Sequence, residues 1–296
     1  MNGRDESGFV VVAILWMLAA LAALASAYAV FAVNTAASVY LPQERMRAEQ
    51  AILAAVELTA YRQLAWPKPA RPDQGAFSTR LGVARIDVVY RSESARVDVN
   101  AAARDVLAGV FAIAGAKTTA AQFLADRIVA WREAPKEESK RAEAALYRKA
   151  GLSYQPVGAP FDNALELALL PTMEPALLAR ALPLLTVHNG TAKVDPLVAD
   201  AAVLAALPGM TAKIQSALRA TAAGKRPDAA ALAALAGPAA EFVSLDPNDN
   251  VRADIVVTTP QRRVAAQVVL RITETAAEPY QILFWRDDFD GDYGAN

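Results

Sequence analysis

Residues 9–33 (FVVVAILWMLAALAALASAYAVFAV) contain no charged side chain and begin almost at the start of the chain. At about 1.5 Å rise per residue, a helix over this run reaches roughly 37 Å, enough to cross a hydrocarbon core of about 30 Å with some tilt. The remainder of the chain must fold either tethered to a membrane or released from it by a cut. A secretory signal peptide would have a basic start, a shorter apolar stretch of about 7–15 residues and a small-x-small cleavage site. Ala23, Ala25 and Ala27 would serve as such a site, yet the run continues through Val30 and Phe31. In front of it stands a short polar leader, MNGRDESG, which ends in Gly8 and is followed at once by Phe9.

The 296 residues leave room for a membrane helix plus one large or two small soluble domains. A net charge of −1 gives no global basic field to attract nucleic acid or anionic lipid. The absence of Cys excludes disulfides, thiolate zinc sites and cysteine nucleophiles. His188 is the one histidine and lies in a turn-like stretch, so a Ser-His hydrolase would have a single candidate base. Carboxylates are plentiful but none stands in a recognisable catalytic spacing, and no enzymatic activity is expected.

The helix is expected to continue beyond Val33, with Pro42 kinking or briefly breaking it. Over residues 44–65, Leu53, Val56, Ala60 and Leu64 fall on one face, away from Glu49, Glu57 and Arg62, and that face needs a sheet to cover it. The stretch 67–75 (PKPARPDQG) ends the helix and reads as a linker. The runs 83–90 (VARIDVVY) and 95–99 (ARVDV) read as the two strands of a hairpin. From Asn100 to about Ala236, Ala and Leu recur at helical spacing, and the highly charged stretch 136–149 reads as a solvated helix face. After Gly237 and Pro238, three β-rich runs at 254–259, 263–272 and 280–285 predict an antiparallel meander that pairs with the earlier hairpin.

The helical region contains an internal echo. Residues 97–108 (VDVNAAARDVLA) align with 194–205 (VDPLVADAAVLA): Val-Asp, then Val-Leu-Ala at the same distance, as in an extended segment leading to a short helix whose Val-Leu pair is buried. The second copy runs into 207–211 (LPGMT), where Pro208 blocks continuation, Gly209 permits positive φ and Thr211 can cap the next helix. A related stretch is 166–174 (ELALLPTME). The turn resembles a helix-hairpin-helix, which in many proteins holds DNA phosphate on hairpin amides. The second glycine of that motif is absent, and basic residues (Lys213, Arg219, Lys225, Arg226) follow only one copy, so a structural turn is favoured and nucleic acid is not expected as a partner. Near the end, DDFDGDY (287–293) offers Asp288, Asp290 and Asp292 as weak calcium candidates, without the later Glu that an EF-hand needs; a solvated acidic tail is the favoured reading.

Polar leader, Gly8, Phe9 and an unbroken apolar helix resemble a type IV prepilin signal, which implies a prepilin peptidase cut between Gly8 and Phe9, methylation of the new terminus and retention of the helix. Most such chains carry Glu as the fifth residue after the cut, where this one has Ala13. A carboxylate in lipid is costly unless paired, so a subunit without it need not make that pairing, which suits a filament tip. Together with the Val-Asp-Val-Asn-Ala stretch, the Leu-Pro-Gly-Met turn, YQP at 154–156 and Pro160-Phe161, the order of motifs resembles the large minor pseudopilin of type II secretion, general secretion pathway protein K. Acidic residues expected around the Trp131 equivalent, and a Gly-Ala-Glu-Asp-like run shortly after it, are replaced here by Arg132 and by Arg141, Ala142, Glu143 and Ala144, which leaves any calcium site of the family in doubt.

The expected fold is α+β: a pilin-like long N-terminal helix packed on an antiparallel sheet, with a large inserted all-α domain containing helix-hairpin-helix-like turns. The expected divisions are leader 1–8, transmembrane helix 9–33, periplasmic helix 34–66, β domain 67–99 with 238–296, and helical insert 100–237. The resemblance implies a cell inner membrane protein with its bulk in the periplasm, supporting protein export from the pseudopilus tip with other minor pseudopilins and the major pseudopilin as partners. The alternative is a membrane-tethered DNA-binding protein of a DNA-uptake or type IV pilus system.

Overall fold

A computed structural model describes residues 5–133, 137–222 and 226–288. The first element, α1, is one helix from Asp5 to Leu64. It is not broken at Pro42, because the helix on either side supplies the hydrogen bonds that carry it past one missing N–H.

The rear of α1 lies on a five-stranded antiparallel sheet built from β1 (Gln74–Leu81), β2 (Ala84–Ser92), β5 (Asn250–Thr258), β6 (Arg263–Thr275) and β7 (Glu278–Asp287), in the order β1-β2-β5-β6-β7. Period-two alternation decides which face meets the helix: Ile86, Val88, Val251, Ala253, Ile255, Val257, Val268 and Leu270 point to α1 and are almost fully buried. Ala48, Ala51, Ile52, Ala55, Val56 and Ala60 answer them from the helix. Leu53 and Leu64, expected on this face, are 41% and 36% exposed. The small alanines bring the helix backbone close to the sheet, and the bulkier leucines are turned away. Two polar residues within the contact are satisfied: Thr59 donates to the Ala55 carbonyl (2.7 Å) and Gln63 to the Pro72 carbonyl (3.2 Å).

The hairpin differs from the sequence reading. Its strands are β1 and β2, joined at Gly82 (φ +58°) and Val83, with Gly75 opposite Tyr90. Residues 74–81, partly read as linker, form an edge strand whose outward half is polar. The run Val97–Asp98 is β3, which pairs in parallel with β4 (Leu185–Thr186), far along the chain.

Between β2 and β5 lie α2 (Arg104–Ile113), α3 (Thr118–Arg132), α4 (Glu137–Lys149), α5 (Pro175–Ala181), α6 (Ala201–Ala205), α7 (Ala212–Ala222) and α8 (Ala229–Ala236), around a second core that includes Leu107, Phe111, Ile128, Leu185 and Leu204. The short β3–β4 ladder makes this region not purely helical. The echo in the sequence is an echo in the backbone. Asp98 accepts the N–H of Asn100 (2.7 Å) and Asp195 that of Leu197 (2.9 Å), the two-residue Asx turn of such side chains. Each turn leads into a helix, α2 or α6, with a buried Val-Leu pair, Val106 and Leu107 or Val203 and Leu204. Each copy also begins in a parallel contact: β3 with β4, and Val194 with Val243. The two copies meet where α2 crosses α6, and a Cβ on Gly109 would lie 2.0 Å from the Ala206 carbonyl oxygen.

The sheet and insert are joined at the end next to the C-terminus of α1. There β2 runs out at Ser92, whose N–H donates to Asp73 O, and β5 starts beside Lys68 and Arg71, which both pair with Asp249. The insert therefore attaches at the end of the rod farthest from the apolar run.

Candidate functional site

The front of α1 is the first functional feature. From Val11 to Phe31 it is apolar, and none of it is buried within the chain; it is a helix long and apolar enough to cross a membrane. Ser26 donates to the Ala22 carbonyl (2.8 Å), so this hydroxyl within the run needs no outside partner. Gly8 and Phe9 lie in the helical backbone and Ala13 is half-buried in its flank. The uncovered span passes directly into the half of α1 that carries the sheet, so a force on one is transmitted to the other through a continuous hydrogen-bonded rod.

Behind the span, α1 exposes Met46, Leu53, Leu58 and Tyr61 on the flank away from the sheet. Leu53, Glu57, Tyr61 and Leu64 recur at helical spacing there, and Glu57 accepts the Tyr280 hydroxyl (2.7 Å), which pins the rod to β7. The sequence reading assigned part of this stripe to the sheet contact; alanine-lined packing gave no sign that Leu53 and Leu64 would be left outside.

The hairpin at Pro208 and Gly209 is closed by the N–H of Met210 on the Leu207 carbonyl (3.1 Å), with Gly209 at φ +75°. Thr211 Oγ1 accepts the N–H of Ile214 (3.3 Å) and caps α7. A Cβ at Gly209 would meet Pro238 Cβ at 2.8 Å. The turn is thus packed against the start of the segment that returns to the sheet, and that contact gives it a structural role.

The expected acidic ring around Trp131 is occupied otherwise. Trp131 stacks on Phe161 with centroids 5.5 Å apart and lies 6.3 Å from Tyr147. Arg132 donates to the carbonyls of Val99 (2.7 Å) and Ala102 (2.8 Å), while Glu143 pairs with Arg127 (2.5 Å). Burial pushes the Glu143 carboxyl up against the pull of Arg127. Asp288 has its carboxylate on the Ala265 N–H (2.7 Å) and its own N–H on the Ala265 carbonyl, closing the end of the sheet; Asp290 and Asp292 lie outside the described residues. Among the described residues no three His, Asp or Glu side chains are grouped as a metal would need. His188 is half-buried beside Phe284, burial lowers its pKa, and its carbonyl accepts from Asn250 (2.5 Å).

Sequence reasoning missed the joint between sheet and insert. Glu93, 1% exposed, pairs with Arg96 (2.5 Å), and Arg226 binds Asp73, Asp195 (2.7 Å) and the Leu245 carbonyl (3.0 Å). Glu93 and Arg96 are neighbours in the chain, but Asp73, Asp195 and Arg226 come from segments far apart, and only folding brings them together.

Comparison with known proteins speaks to the same arrangement. Residues 83–190 match the family model of type II secretion system (T2SS) protein K. The fold is similar to a chain of the crystal structure of the GspK-GspI-GspJ complex from the enterotoxigenic Escherichia coli type 2 secretion system, at 13% identity and a TM-score of 0.57, over 83% of this chain and 98% of that one. No curated protein matches. The family match covers the hairpin's second strand and the first copy within the insert, and the fold agrees over most of the rest. Within residues 83–190 the chain is similar to type II secretion system protein K, and its fold is that of the matched chain of the GspK-GspI-GspJ complex.

Proposed function

We propose that this chain is a minor pseudopilin of the type II secretion protein K kind that sits at the tip of the pseudopilus, anchored in the inner membrane by α1 with its sheet and insert in the periplasm, and that it works by assembly alone, without chemistry on a substrate. The observation that carries the reading is the placement of bulk: the insert joins the sheet at the end of α1 farthest from the apolar span, where it would collide with any subunit stacked above. Supporting it, Ala13 offers no carboxylate for a neighbour's terminal amine. Prepilin peptidase would cut between Gly8 and Phe9 before assembly. The partners we propose are the other minor pseudopilins, met through the apolar span and the outward stripe of α1, and below them the major pseudopilin. The GspK-GspI-GspJ complex is a precedent for such a set.

Co-expression with the other minor pseudopilins of the same cell tests this. The full chain should co-purify with them from detergent-solubilised membranes, and Leu53→Glu with Tyr61→Glu should reduce recovery at least tenfold while the soluble part keeps its melting temperature. Recovery unchanged by the double substitution would remove the stripe from the interface; no recovery of the wild-type chain would remove the assembly. A DNA-binding role finds no support: the hairpin that would hold phosphate is packed against Pro238.

A further inference from the structure

The outer face of the sheet, the one turned away from α1, is only partly covered by the insert. Between them opens a cleft of about 880 Å³, within the range of ligand sites and large enough for several residues of peptide. Its floor includes Val269 on β6 and Phe284 on β7, which are register partners. Leu165 and Leu182 face them from the insert.

Three arginines line the same cleft: Arg96, Arg252 and Arg286. Arg252 is the unusual one. Its side chain is only 14% exposed, and among the described residues its buried Nε has no hydrogen-bond partner, Asp254 Oδ2 standing 3.4 Å away in a long ion pair. The other oxygen of Asp254 is occupied by the amide of Gln267 at 2.7 Å. Next to it, Arg96 uses one Nη on Glu93, and its Nε too is buried without a partner. Burial, with Arg96 alongside, holds the Arg252 pKa below the usual arginine range, against the opposite pull of Asp254 and Glu93, so the surroundings compensate the charge only in part. His188 lines the cleft as well, and burial keeps it neutral near pH 7.

A guanidinium largely removed from water and short of acceptors is costly, and a carboxylate relieves that cost best because its two oxygens match the planar fork of donors. A carboxylate alone would leave the apolar floor uncovered and most of the volume unfilled. We infer that this cleft binds an acidic peptide segment of another protein, with an Asp or Glu carboxylate on Arg252 and Arg96 and a neighbouring apolar side chain on Phe284 and Val269. The cleft lies on the face opposite α1, so a ligand held there would not compete with contacts made through the rod.

The probe is a fluorescein-labelled acetyl-Ala-Asp-Phe-Asp-Ala-amide, titrated by anisotropy onto the full chain in lipid nanodiscs, beside its twin with Asn in place of Asp. The acidic peptide should bind saturably, at least tenfold more tightly than the twin, and weaken as salt rises. Arg252→Gln should cost at least tenfold in affinity, and Arg85→Gln, whose side chain pairs with Asp87 outside the cleft, should leave it unchanged. If Arg252→Gln shifts the melting curve, Arg286→Glu on the open rim takes its place and should give the same loss. Equal binding of the two peptides, no binding, or affinity unaffected by both cleft variants would overturn the assignment. Binding of sodium acetate with no preference for the peptide would reduce the cleft to a small-anion site and also overturn it. The readout does not depend on pseudopilus assembly, so its failure is separate from failure of the assembly reading.

Discussion

Thr172 and Gly209 occupy the same place in two copies of one turn: Leu-Pro-Thr-Met at 170–173 and Leu-Pro-Gly-Met at 207–210. Both have positive φ, +65° and +75°, and in both turns the Met N–H returns to the Leu carbonyl, at 3.2 and 3.1 Å. Thr172 is the one non-glycine residue with positive φ among the described residues. The left-handed region costs an ordinary side chain about 1–2 kcal/mol, and a β-branched one is least suited to it. Thr172 is exposed, so little packing is lost on its removal. Thr172→Gly should therefore raise stability by about 1 kcal/mol, read as a higher urea midpoint at unchanged slope. The reverse change, Gly209→Ala, should lower it by about 2 kcal/mol, because strain and the approach to Pro238 act together.

The crossing of α2 and α6 depends on a missing side chain. A methyl group at Gly109 would overlap the Ala206 carbonyl, and that atom is backbone, with no rotamer to retreat into. Gly109→Ala should cost about 3 kcal/mol and loosen the contact between the two copies. Hydrogen exchange should rise in α2 and α6 while the strands next to α1 stay protected. Equal loss across the whole chain would mean the two cores do not unfold separately.

Acid sensitivity should concentrate at the sheet–insert joint. Burial alone would raise the Glu93 carboxyl, but Arg96, a hydrogen bond from Thr186 and the charge of Arg252 together more than offset this, and its pKa lies below the ordinary glutamate value. A depressed folded-state pKa contributes stability that is present above the unfolded value, near 4.5, and is lost as pH falls through the lower folded value. Asp98 has the opposite sign: burial raises its pKa despite hydrogen bonds from Gly190 and Asn100, so its contribution is full below about 3.9 and declines as pH rises through the folded value. Glu93→Gln should cost about 3 kcal/mol at pH 7 by stranding Arg96. Urea melts at pH 7 and pH 3 should show a smaller difference for the variant than for the natural chain; an equal difference would place the acid-labile group elsewhere.

What the sequence disclosed depended on how local each signal was. The membrane run and the C-terminal meander were legible because a charge-free stretch and period-two alternation in 263–272 need no distant partner to be recognised. The internal echo was legible because Asp98 and Asp195 make the same local turn. Strand β1 was not, since an edge strand with one polar face (Gln74, Ser78, Arg80) carries little alternation, and its neighbour was assigned instead to Val97, whose true partner Leu185 lies across the whole first half of the insert. The inner face of α1 was placed only in part, with Val56 and Ala60 right and Leu53 and Leu64 wrong, because alanine carries almost no periodic signal and these leucines are on the outside. The cleft could not be read at all: Arg96, Arg252 and Phe284 converge only when the turn leading into β3 is set beside β5 and β7 in the folded sheet.

The central claim is that α1 remains one rod, attached to the folded part and held in the bilayer after the leader is removed. Co-expression of the full chain with a prepilin peptidase, followed by intact-mass measurement of the membrane fraction, tests it most directly. The account predicts a product that begins at Phe9 and stays with the membranes; a chain beginning at Ser26 or Tyr28, or one that keeps the rod and is found in the soluble fraction, would contradict it.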